Sequence, residues 1–152
     1  MINWYSKKFE NLTPHELYAI LQLRTEVFVV EQNCVFQDMD GKDMLCHHIM
    51  GWVGEKLIAT SRIVPPGIAY EFPSIGRVVT SPSARGQSAG RTLMNNSIEE
   101  LIKLYGNSTI RIGAQLYLKK FYESFGFEQS GDVYDEDGID HIQMTRIASQ
   151  TR

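Results

Sequence analysis

Several features are missing from this sequence, and each absence removes a class of protein. No apolar run approaches the roughly 18 residues needed to span a bilayer. The segment "MINWYSKKFENL" has no continuous apolar core of the kind a signal peptide carries. Basic residues never cluster densely enough to hold nucleic acid, and a formal net charge of −3 suits no partner bound by bulk electrostatics. Cysteine is scarce, with only Cys34 and Cys46 in 152 residues, far below the density of a disulfide scaffold. These absences predict a cytoplasmic protein with two reduced thiols and with neither membrane nor nucleic acid among its partners. No internal repeat, low-complexity tract or composition shift divides the chain. A length of 152 residues with 43% hydrophobic content predicts one domain, residues 1–152, with a single sizeable core.

Helix signals stand out first. "TPHE", Thr13 to Glu16, is a capping box with proline at the first helical position, and Leu17, Ile20, Leu21, Arg24, Val27 and Phe28 follow at helical spacing. A second helix is predicted from near Gly90 through "RTLMNNSIEELIKLYG". Leu93, Met94, Ile98, Leu101, Ile102 and Tyr105 form its apolar stripe, and Gly106 stops it. "LYLKKFYESFG" supplies a short third helix. The β-rich segments "CHHIMGWVG" and "KLIATSRIV" flank the tight "VGEK" turn and read as a hairpin. "SIGRVVTS", "STIRIGAQ", "GFEQSGDVY" and "IDHIQMTRI" are the other strand candidates. This order predicts an α/β (α+β) fold, a central mixed sheet with helices packed on it, and a ligand crevice at the junctions around Ser81 to Gly113.

The stretch "SARGQSAGRTLM" joins a strand to a helix with no spare residues. The first amides of a helix have no internal partner, point one way and share the dipole's positive end, which suits phosphate oxygens. Gly86 and Gly90 let an anion approach the backbone, and Arg85 and Arg91 add charge. By itself such a turn is more often structural, and its spacing matches neither a Walker loop nor the dinucleotide G-x-G-x-x-G pattern.

"VVTSPSARGQSAGRTLM" resembles the acetyl-CoA-binding segment of the GNAT N-acetyltransferase superfamily, Gln/Arg-x-x-Gly-x-Gly/Ala, with Arg85 first and Gly90 last. "AQLYLKKFYESFGF" resembles its second signature, a helix with a tyrosine before a Gly-Phe pair, here Tyr122, Gly126 and Phe127. "LRTEVFVVEQNCVFQDMDGKDMLCHH" is similar to the ElaA-like subgroup of that family. One position departs: the middle glycine of the loop pattern is Ser88, whose Cβ sits where the backbone should come close.

The resemblance implies a GNAT fold, with a bulged strand splayed from its neighbour and helices on both faces of the sheet. It implies acetyl transfer from acetyl-CoA to a primary amine by direct attack in a ternary complex, with coenzyme A as product. A non-catalytic acyl-CoA-binding or regulatory protein is the alternative. By position, Val78, Val79 and Thr80 would hold the pantetheine arm and polarise the thioester. The pyrophosphate would lie on the amides of Gly86, Gln87, Ser88, Ala89, Gly90 and Arg91. Gln115 falls where members place a pantetheine-contacting asparagine, and Tyr122 matches the tyrosine that returns a proton to the thiolate. The base stays open among Glu31, Glu71, His47, His48 and a water chain; Glu31, Asp40 and His47 are candidates on the acceptor side. The acceptor is a small-molecule or peptide amine, and the chain a monomer or homodimer.

Other constellations carry less. Asp38, Asp40 and Asp43 fail the calcium-loop spacing, since Gly41 is fourth rather than sixth and Ile49 stands at the twelfth position. They read as a solvated acidic turn, or as a border of the acceptor cleft that attracts a cation. Cys34, Cys46, His47 and His48 lack the spacing of a zinc set, so no metal is expected. Arg24 and Glu31 read either as surface charges or as an internal pair.

Overall fold

The computed structural model describes residues 1–149. Its strands are β1 (Asn3–Lys8), β2 (His47–Val53), β3 (Lys56–Val64), β4 (Ser74–Thr80), β5 (Ile110–Gln115), β6 (Glu128–Gln129), β7 (Tyr134–Glu136) and β8 (Ile139–Arg146); its helices are α1 (Pro14–Arg24), α2 (Ala89–Tyr105) and α3 (Lys119–Glu123). No helix among them is long and apolar enough to cross a membrane, and both cysteines are buried free thiols.

The strands form two antiparallel sheets, β1-β2-β3-β4 and β5-β8-β6, with β7 also paired to β8. Where the halves meet, the Arg111 amide donates to the Pro73 carbonyl at 3.2 Å, at the start of both β4 and β5. Their far ends, Thr80 and Gln115, stand on either side of a cleft. The separation has a local cause on β4. Thr60 pairs with Val79 but Arg62 pairs with Gly76, so two steps along β3 face three along β4. The extra residue is a bulge at Arg77, whose φ of 49° is left-handed.

Helices cover both faces. Ile20, Leu23 and Val27 pack with Met50, Leu57 and Val79 on one face. Leu93, Met94, Ile98 and Leu101 pack with Ile49, Ile63, Ile75 and Ile112 on the other. Adjacent Ile49 and Met50 fall in different clusters, as strand alternation requires. The capping box at Thr13 forms as expected: its Oγ accepts from the Glu16 amide at 3.1 Å, and Glu16 accepts from the Thr13 amide at 2.8 Å. Past Arg24 the helix widens into a π-helical segment, Thr25–Glu31. The sequence reading did not anticipate β1. Among the described residues this edge strand pairs only with β2, and it alternates weakly in burial. It docks because Gly51 lies opposite Trp4; a Cβ there would stand 2.7 Å from the indole ring.

The acidic turn is not solvated. Asp38 and Asp43 are buried, as is Arg24 at 1% exposure, because three carboxylates here meet three guanidinium groups. Arg24 Nε lies 2.7 Å from Asp38 Oδ2, and its Nη1 2.8 Å from Asp43 Oδ1. Arg62 grips Asp40 through Nη1 and Nη2 at 2.8 and 2.6 Å and reaches Asp43 at 2.9 Å. Arg77, the bulge residue, pairs with Asp38 Oδ1 at 2.8 Å and donates to its carbonyl at 2.8 Å. Arg24 and Glu31 are therefore neither both surface charges nor a pair with each other; Glu31 binds Arg85 instead.

Two stability measurements check these features. Asp38→Asn leaves the buried Arg24 and the half-buried Arg77 without a full countercharge, so denaturant unfolding should show a loss of about 3 kcal/mol or more. The Arg62 guanidinium holds the Asp40 carboxyl well below its usual range. For Asp43, burial pushes the carboxyl up, but Arg24 and Arg62 outweigh this and hold it low. The unfolded chain then takes up protons first, near the ordinary carboxyl value of 3.8. Stability from this source is complete above about pH 5 and falls steadily as the pH drops below about 4. A denaturation midpoint unchanged from about pH 7 to pH 3 would contradict it.

Candidate active site

A cavity of about 570 Å³ lies between β4 and β5. Val78, Val79 and Thr80 form one wall and Ile112 to Gln115 the other; the π-helical segment closes one side with Val27, Phe28 and Glu31. Phe121 and Tyr122 of α3 form a further part of the wall, and the β7–β8 hairpin contributes Glu136, Asp137, Ile139 and His141. The splayed strands thus supply backbone, while the surrounding elements supply aromatic rings and carboxylates.

The loop after β4 lies at the edge of the cavity. Gly86 has φ 86° and Ser88 has φ 59°, both left-handed. Ser88 is the N-cap of α2, yet its side chain makes no capping bond, and no acidic residue stands in the first turn. Its carbonyl accepts from the Thr92 amide at 3.1 Å. The amides of Ala89, Gly90 and Arg91 precede the first intrahelical donor and so remain available for an anion. α1, in contrast, carries a complete capping box. Arg85 and Arg91 are already engaged: Arg85 holds Glu31 in a two-pronged pair at 2.5 and 2.6 Å, and Arg91 donates to Ser124 Oγ at 2.8 Å and lies over the Phe125 ring. The Arg85 guanidinium beside Glu31 keeps that carboxyl below its ordinary value.

Tyr122 is 7% exposed, with Phe121 and Phe127 edge-on to its ring. Burial pushes its phenol well above the ordinary 10, so the hydroxyl keeps its proton near neutrality and has one to donate. Gln115 and Gln32 exchange amide hydrogen bonds at 3.2 and 3.4 Å, linking β5 to the segment after the π-helix. Tyr70 and Tyr134 bring their hydroxyls within 3.0 Å of where a Cβ on Gly113 would stand, so two phenols converge on bare backbone in the cavity wall.

The acceptor-side candidates are scattered. Glu31 lines the cavity, whereas Asp40 and His47 do not; Asp40 is committed to Arg62. His48, 1% exposed, donates from Nε2 to the Asp43 carbonyl at 2.9 Å. Burial lowers the proton affinity of both His47 and His48, and Glu71 is an exposed loop residue away from the cavity. The sequence reading missed Glu136 and His141. A signal was present: "EDGID" holds the Asp-Gly pair of a tight hairpin turn, and both Asp137 and Gly138 have positive φ, 52° and 85°. That turn lays His141 against Tyr134 on one neighbour and Gln115 on the other.

Residues 24–148 match the family model of the acetyltransferase (GNAT) domain. Protein ElaA of Escherichia coli strain K12 is 43% identical over 152 residues, 99% of either chain. Its crystal structure superposes with a TM-score of 0.90, covering 96% of this chain and 99% of that one. An acyl-CoA N-acyltransferase from Pseudomonas aeruginosa gives a TM-score of 0.92 at 42% identity over the same shares. An aminoglycoside 6′-N-acetyltransferase complexed with coenzyme A shares the fold, with a TM-score of 0.70 at 16% identity over 97% and 99% of the two chains. Given a family match over most of its length and 43% identity to a relative across nearly all of it, this chain belongs to the GNAT family of acyltransferases.

Proposed function

We propose that the chain moves an acetyl group from acetyl-CoA to a primary amine by direct attack within a ternary complex. The observation that carries this reading is the cleft itself. β4 bulges in its ladder with β3, an open cleft stands between β4 and β5, and the opening runs to the start of a helix that carries no side-chain cap. Such a helix start fits a pyrophosphate, and the wall at Val78, Val79 and Thr80 fits an extended arm with amide groups of its own. The coenzyme A complex of the aminoglycoside acetyltransferase, which has the same fold, supports the choice of cofactor.

Bound acetyl-CoA supplies the thioester whose carbonyl carbon the amine attacks. This chain's residues then do the rest. Amides at the β4 bulge orient and polarise the carbonyl. As the carbon–sulfur bond breaks, the Tyr122 hydroxyl gives its proton to the departing thiolate and later regains one from solvent. Ser88 offers its amide like its neighbours, at the cost of holding a Cβ in the left-handed region.

Three outcomes test this reading. Tyr122→Phe should lower kcat for an amine panel by about 100-fold or more, with coenzyme A affinity by titration calorimetry unchanged. Tight coenzyme A binding without turnover of any amine by the wild type would instead mark a non-catalytic binding protein. Glu31→Gln frees Arg85 for phosphate; because exposed pairs of this kind contribute little, coenzyme A binding should tighten by no more than a few-fold. Ser88→Gly relieves the left-handed backbone and should stabilise the free protein by about 1 kcal/mol; a large gain in acetyl-CoA affinity as well would show that the serine Cβ hinders the cofactor.

A further inference from the structure

A primary amine arrives mostly as an ammonium near neutral pH, so the proposed reaction needs a group to remove a proton before attack. Of the groups weighed from sequence, His47, His48 and Glu71 stand outside the cavity, and Glu31 is held by Arg85. His141 is inside it, 8% exposed, on the strand next to Gln115. Its Nδ1 lies 2.8 Å from the Ile139 carbonyl. A carbonyl only accepts, so in the neutral ring Nδ1 carries the hydrogen and Nε2 presents a lone pair.

Nε2 in turn lies 3.7 Å from Glu136 Oε2, and no protein donor bonds to it among the described residues. Two acceptors therefore stand side by side on the cavity wall, one neutral and one anionic. An alkylammonium can satisfy both, giving one N–H to the imidazole and one to the carboxylate. Tyr134 lies against the imidazole, ring centroids 5.8 Å apart, and limits its rotation. Tyr122 lines the same cavity, so a proton acceptor and a proton donor border one space.

We infer that His141 is the general base of the acetyl transfer and that Glu136 is its partner in receiving the ammonium; this inference rests on the amine-acetylation reading above. The ammonium N–H bond breaks as its proton passes to Nε2, which leaves the nitrogen lone pair free to form the carbon–nitrogen bond. The resulting imidazolium is held by Ile139 at Nδ1 and faces the Glu136 carboxylate at Nε2. The proton then passes to solvent at the exposed side of Glu136, whose side chain is 54% accessible. Once the carbon–nitrogen bond has formed, the nitrogen gives up its second N–H proton through the same base. Of the two protons the ammonium loses, one balances the proton taken up by the leaving thiolate and one is released to solvent, with no co-reactant beyond the amine and the thioester.

The test compares two acceptors of similar size: the best alkylamine of the panel and its analogue carrying three β-fluorines, whose ammonium is far more acidic and is largely deprotonated near neutrality without help. His141→Asn keeps a donor for the Ile139 carbonyl but has no base. It should lower kcat/KM for the alkylamine by about 100-fold or more and for the fluorinated amine by only a few-fold, with coenzyme A affinity unchanged. Glu136→Gln should act in the same direction more weakly. Independently of turnover, nitrogen NMR of the free protein should show His141 protonated at Nδ1 and bare at Nε2, with the Nε2 signal moving on titration with the alkylamine. Equal losses on both amines, no loss on either, or an Nε2–H ring would overturn the base role alone. A wild type that binds coenzyme A and acetylates no amine would defeat the acetyl-transfer reading and the base role with it.

Discussion

Three arginines and three aspartates, drawn from the end of α1, the segment that follows it, β3 and β4, share one largely buried site. Bringing an ion out of water costs several kcal/mol, and only near-complete pairing offsets it. Here the charges balance, and most guanidinium nitrogens have a carboxylate or carbonyl within reach. The position of Arg77 in this cluster matters most. A left-handed φ at a non-glycine residue inside a strand is unfavourable, and two aspartates hold the side chain that accompanies it. The bulge is thus anchored from outside the sheet.

The rest of the architecture follows from that anchored bulge. β4 cannot continue its ladder into β5, so the sheet divides into two antiparallel halves that keep a backbone link at Pro73 and Arg111. α1 and α2 sandwich the first half, α2 also packs on the second through Ile112, Ile142 and Met144, and β8 serves there as the shared partner of β5, β6 and β7. The wedge between them is walled by main chain that the ladders do not use. The same acidic segment that neutralises Arg77 leads on from Glu31 and Gln32 at the rim, so ion pairing behind the wall and the shape of the opening are tied by one stretch of chain.

Much of this was legible in the residues. The capping box at Thr13, the α2 stripe with its glycine stop and the hairpin at "VGEK" follow from local chemistry, and local chemistry formed them. The loop after β4 gained its meaning from resemblance, not from spacing alone. β1 escaped because an edge strand with one neighbour need not alternate strongly. The aspartates misled because a run of exposed-looking charges says nothing of which distant arginines the fold will bring to it. His141 escaped for a related reason: its placement depends on a two-residue turn and a register with β5, both of them long-range facts. His47 and His48 drew the eye as an adjacent pair, yet β2 places neither at the cavity.

The arginine–aspartate cluster also constrains how this sequence can drift. Any single loss among the buried members leaves a charge uncompensated, whereas exchanging an ion pair for apolar residues of matched volume can be nearly neutral. The two routes differ by several kcal/mol, a large share of a small domain's stability. Change at Arg24, Asp38, Asp43 and Arg62 is therefore open only in steps of two or more residues at once, across positions as much as 38 apart in the chain (62 − 24), and these positions should vary as a set or not at all.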